Sequence, residues 1–168
     1  MQTLYLVSVW IHILAASIWL GGMAFLVLVL VPWLRRTPGA PAGALLSETG
    51  KRFRSVGWVC FVLLLVTGSF NLSMRGVTFA SLSSAVFWAT PFGRILLTKL
   101  VAFSLVLGVS AIHDFLLGPR ATALIARDPR SREAAAARRR AALLGRVNAI
   151  LALVLVAAGV MLVRGSPW

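Results

Sequence analysis

Four apolar stretches, each long enough to cross a bilayer, constrain this chain more than any other feature. They cover Leu4–Leu34, Phe53–Ser73, Phe92–Leu117 and Leu143–Val163. A helix needs about 20 apolar residues to cross the hydrocarbon core. Lipid offers the backbone no hydrogen-bond partner, so each stretch must be helical. The sequence therefore predicts an all-α protein, an integral membrane bundle of four transmembrane helices forming a single domain over residues 1–168. Up-down connectivity through short loops is the default for such a bundle. Composition agrees, with 60% hydrophobic residues and a mean hydropathy of +0.92, against about half apolar residues in soluble domains. The first stretch lacks a basic leader, and its apolar run is about twice that of a signal peptide, so it is expected to remain as a span. Cys60, the only cysteine, lies in the second span, which rules out an internal disulfide.

The net charge of +13 would suggest nucleic acid if it were spread evenly. It is sorted by loop instead. Arg35, Arg36, Lys51, Arg52 and Arg54 flank the first connection, and eight arginines from Arg120 to Arg146 flank the third. The opposite side has only Arg75, Arg94 and Arg164. Cytoplasmic loops attract Lys and Arg, so the expected topology is multi-pass with both termini outside. The topology accounts for the charge excess, and no nucleic-acid partner is expected. The expected partners are the lipid bilayer and, as an open question, a second copy of the chain.

Local signals refine the boundaries. Span one is about 31 residues, or roughly 46 Å of helix, with Pro32 expected at its cytoplasmic end. Thr37–Gly50 reads as a turn-rich loop. The segment after Arg75, with Phe79, Phe87 and Trp88, reads as an interfacial turn or short helix. Thr90-Pro91 opens span three as an N-cap with proline at the first helical position, and Gly118-Pro119 is expected to close it. A helix from about Pro129, capped by Asp128, is expected to run into span four. Its alanine and arginine content suits a position near anionic headgroups. No internal repeat stands out, and no soluble domain is appended.

Polar residues at membrane depth are costly unless they face a partner, and helical rise sorts them into two layers. The outer layer holds His12, Thr67, Asn71, Met74, Lys99 and Met161. The inner layer holds Arg54, His113, Asp114, Arg120, Arg146 and Asn148. His12 reads either as a metal ligand or proton carrier, or as a buried hydrogen-bonding residue on the same face as Trp19. Met74 and Met161 would join it as thioether ligands, a set suited to Cu(I), or serve as packing. Lys99 reads as an anion-binding group or as a snorkelling side chain. His113 reads as an exit ligand or as the partner of Asp114. Asp114 is expected to pair with an arginine such as Arg54, Arg120 or Arg146, which bind carboxylates bidentately. His12 and His113 lie at different depths, which does not suit a bis-histidine haem within one chain and leaves a single-histidine haem or a metal held by His12 with methionine. Gly21, Gly22, Gly57, Gly68 and Gly108 are expected to permit close helix contacts.

Four stretches in order resemble the copper-resistance protein D family: HILAASIWLGG in span one, RFRSVGW…TGSFNL around span two, TPFGRILLTKL opening span three, and HDFLLGPR at its end. The resemblance implies a helical inner-membrane domain linked to copper tolerance or to copper uptake from the periplasm. The methionine- and histidine-rich regions of larger members have no counterpart here. The spacing of His12 and Trp19, together with Lys99, is also similar, more weakly, to the bacterial four-helix membrane protoporphyrinogen oxidase. That second resemblance implies a haem b oxidoreductase, with His12 and Lys99 at its matching positions.

Overall fold

A computed structural model describes residues 1–37, 42–128 and 130–165. It contains no strand among them, and the chain divides into two compact units, Met1–Ser81 and Leu82–Trp168.

In the first unit, α1 (Gln2–Phe25) passes through a π-helical turn (Leu26–Leu30) into α2 (Val31–Arg36), and α3 (Ala42–Met74) packs along α1 as the return limb. The buried positions of α1 are Ser8, Ala15, Trp19 and Met23, one stripe at helical spacing. Rings settle on glycines at this contact. A methyl group built on Gly57 would lie 3.6 Å from Trp19 Cδ1, and one on Gly22 only 2.5 Å from Phe53 Cε2. Trp19 also meets Phe61 edge to face, with centroids 5.2 Å apart. Small residues let helices approach in lipid, where no hydrophobic force drives them together. α3 ends in a Schellman turn: Val77 N–H donates to Leu72 O, Gly76 N–H donates to Ser73 O, and Gly76 has φ +79°.

The second unit has two short helices, α5 (Ala85–Ala89) and the end of α4 (Phe79–Ser83), before α6 (Pro91–Ala111). The expected cap is present, with the Thr90 hydroxyl accepting from Gly93 N–H at 3.0 Å and Pro91 in the first turn. α6 runs through a π-helical turn (Ile112–Leu117) into α7 (Gly118–Arg127), and α8 (Arg132–Arg164) packs along both helices.

Several expected boundaries move. α3 starts at Ala42 rather than near Phe53, because Ala, Leu and Glu favour helix there and Glu48 supports Arg52 one turn on at 3.2 Å. Neither Pro32 nor Gly118-Pro119 stops its helix. A proline lacks the N–H and crowds the carbonyl four residues back, and both helices widen to π geometry two residues earlier. Val31 N–H thus reaches Leu26 O, and Gly118 N–H reaches His113 O. α8 is capped by Ser131, whose hydroxyl accepts from Ala134 N–H at 3.1 Å. Asp128 instead ends α7 and accepts from Arg130 N–H at 2.9 Å. The expected start at Pro129 lies outside the described residues. The run of α8 into span four is unbroken, as expected.

Four helices are long and apolar enough to span a membrane: Gln2–Leu34, Gly43–Met74, Pro91–Ile125 and Arg132–Arg164. Only 11–22% of each apolar window is buried. Apolar surface on that scale needs a cover, and a bilayer supplies it to a multi-pass protein.

Candidate functional site

The polar centre of the first unit forms where α1 and α3 meet. Ser8 and His12 sit one turn apart on α1, and Thr67 and Gly68 face them from α3. His12 Nδ1 lies 2.8 Å from the Thr67 hydroxyl, which itself donates to Leu63 O at 2.6 Å. A threonine hydroxyl has a single proton. With that proton directed to Leu63 O, the hydroxyl accepts from His12, so Nδ1 carries the hydrogen of this bond. The same logic orients metal-ligating histidines, whose second nitrogen donates to a fixed acceptor. Ser8 completes the cluster by donating to Thr67 O at 3.5 Å. Thr67 and Ser8 are 7% and 8% exposed, so these bonds form away from solvent.

Gly68 sets how close the ring comes. A methyl group built there would lie 3.3 Å from His12 Cε1, so the imidazole would have to give by a few tenths of an ångström. Asn71 and Met74 follow Thr67 on one face of α3 by helical spacing. Asn71 Oδ1 is buried and has no hydrogen-bond partner among the described residues. Met74 is 37% exposed, at the end of the helix.

The second unit has its own polar contacts. Lys99 Nζ lies 3.6 Å from the place a methyl group would take on Gly159, so the lysine side chain runs along α8. Asn148 donates through Nδ2 to the Ser110 hydroxyl at 3.0 Å and ties α8 to α6. His113 Nδ1 and Asp114 Oδ1 are 3.0 Å apart inside the π-helical turn, which is the pairing weighed for His113 against an exit-ligand role. Met161 follows Gly159 by two residues on α8, and Arg120 and Arg146 are exposed. Arg54 belongs to α3 in the first unit.

The expected outer layer is thus distributed, with His12, Thr67, Asn71 and Met74 in the first unit and Lys99 and Met161 in the second. No three His, Cys, Asp or Glu side chains gather among the described residues. Soft ligation would therefore have to combine an imidazole with thioethers. Ser8, Ser110 and Gly159 join these contacts without having stood out in the sequence, because a serine or glycine inside an apolar span has no local mark of its partner. Cys60 is buried at 3% exposure, as a packing residue should be.

Comparison with known proteins bears on what this polar centre serves. A family model described as "CopD: Copper resistance protein D" matches residues 47–162. An uncharacterized protein of Aquifex aeolicus (strain VF5) is 34% identical over 114 residues, covering 66% of this chain and 68% of that one. No solved structure matches the chain. The family match supports the first of the two resemblances in the sequence and does not bear on the haem protein. With four membrane-length helices and a match over most of its length, the chain belongs to the copper resistance protein D family.

Proposed function

We propose that this protein binds copper within the bacterial inner membrane and passes it inward from the periplasmic side, with His12 as the receiving ligand. The observation that carries the reading is the fixed imidazole, with His12 Nδ1 2.8 Å from the Thr67 hydroxyl, which is itself anchored on Leu63 O at 2.6 Å. Copper is the cargo. Imidazole and thioether together favour Cu(I) over harder ions, and Met74 lies on the Thr67 face of α3 to supply a sulfur. Met161 and His113, both in the second unit, are further candidate ligands.

The sorting of arginines supports an orientation with both termini periplasmic and the α7–α8 segment cytoplasmic. In that orientation His12 lies nearer the periplasm, within reach of a periplasmic copper-carrying protein. Copper tolerance then follows from controlled movement of the ion, and self-association of the chain would add further sites. Titration of the detergent-purified protein with Cu(I), native against His12→Ala, tests the reading. The expected result is loss of one equivalent, or a weakening of at least tenfold. Equal stoichiometry and affinity would remove His12 as the ligand.

A further inference from the structure

The two units repeat each other in ways that neither the family nor the proposed function requires. α3 and α8 have the same length, 33 residues each. The first long helix of each unit passes through a π-helical turn that ends two residues before a proline, at Leu30 and Pro32 and again at Leu117 and Pro119. Adding 87 to a residue number in span one carries the buried Ala15, Trp19 and Met23 onto the buried Ala102, Val106 and Ser110. The same shift pairs identical residues at Ala15/Ala102, Ser17/Ser104, Gly21/Gly108, Ala24/Ala111 and Pro32/Pro119. It also carries His12 onto Lys99. In the return helices a shift of 91 carries Gly68 onto Gly159 and Thr67 onto Ala158, which is 4% exposed where Thr67 is 7%. In each unit the polar side chain lies against the matching glycine, 3.3 Å (His12 Cε1) and 3.6 Å (Lys99 Nζ) from where a methyl group on that glycine would sit.

We infer that the chain is a tandem repeat of one helical hairpin, and that Lys99 on Gly159 occupies the seat that His12 occupies on Gly68. Internal repeats of helical units are known in membrane proteins. The hairpins differ in chemistry at the seat. The first holds an imidazole oriented by a hydroxyl, whereas the second holds a lysine amine beside an alanine. The second seat is thus a copy of the ligand position with the imidazole and its orienting hydroxyl replaced. This functional half of the inference rests on His12 being the copper ligand, while the repeat itself does not.

Two measurements separate the halves. Spin labels on cysteines introduced singly at Ile13 and Leu100, and at Ile18 and Leu105, in a Cys60→Ala background, report depth in the bilayer. These positions are all exposed at between 43% and 57%. Members of a pair are expected to show the same depth. A difference of one helical turn, about 5.4 Å, in both pairs overturns the repeat, whatever the protein does with copper. The second measurement rebuilds the seat with Lys99→His and Ala158→Thr together and counts Cu(I) bound. A gain of one equivalent over native protein is expected, with Lys99→Met giving none. If native protein binds copper at His12 and the rebuilt, folded variant gains nothing, the equivalence of the seats is overturned. If native protein binds no copper at His12, the proposed function fails, and the depths still decide the repeat.

Discussion

Replacing Thr67 with valine keeps the β-branched shape and removes the hydroxyl that joins His12 to Leu63 O. Leu63 O keeps its place in the α3 backbone ladder, so the loss falls on His12, whose Nδ1 loses its hydrogen bond to Thr67. An unsatisfied buried donor costs about 1–3 kcal/mol in soluble proteins. Interhelical hydrogen bonds in membranes average about 0.6 kcal/mol and reach about 1.7, because the unfolded chain in lipid also finds partners. The second range applies here, since Thr67 is 7% exposed within a span. A destabilisation of about 1 kcal/mol is expected, or a fall in Tm of about 2–4 °C for a chain of this size. The effect on copper should be larger, because losing the group that orients a ligating histidine costs about 10–100-fold in metal affinity. Competition against a Cu(I) chelator, with thermal unfolding in the same detergent, reads both quantities. Thr67→Ser, which keeps the hydroxyl, should restore affinity to near native. A valine variant with native copper affinity and an imidazole still bound to copper would refute the assignment of the His12 tautomer.

Further outcomes follow from the packing. Gly93→Ala places its methyl group against the Phe87 carbonyl and 2.9 Å from Trp88 Cα, and backbone there cannot give way. A loss of at least about 1–3 kcal/mol should appear as a lowered Tm. Asp114→Asn weakens the pair with His113, which is 41% exposed, so thermal stability should fall by no more than about 1 kcal/mol. His113→Ala should leave copper tolerance unchanged if the inner layer is structural, and a loss of tolerance in a stably folded variant would assign His113 to the copper path. A cysteine at Arg138 should resist a membrane-impermeant thiol reagent in intact cells, and labelling there would overturn the proposed orientation.

Much of this fold is written in local patterns. Runs of apolar residues locate the four spans, and Thr90-Pro91 marks the start of α6 because cap and proline act within one turn. The start of α3 was less legible, since prolines and glycines near residue 40 masked the helix-forming run beginning at Ala42. At Gly118-Pro119 the sequence suggested a stop, but a π-helical turn absorbs the proline and the helix continues. The site divides in the same way. His12, Thr67 and Lys99 stand out as polar residues in apolar surroundings, but their partners depend on the register between helices, which no local signal sets. Ser8, Ser110 and Gly159 therefore went unremarked. The repeat was obscured because identities between apolar helices are common, and the matching burial, π-helical turns and glycine seats become visible only in three dimensions.

X-ray absorption at the copper edge, on Cu(I)-loaded protein in detergent, tests the proposed copper site most directly. The account expects native protein to show one imidazole nitrogen together with thioether sulfur, and His12→Ala to lose the nitrogen. A native spectrum without imidazole, or one that His12→Ala leaves unchanged, would contradict it.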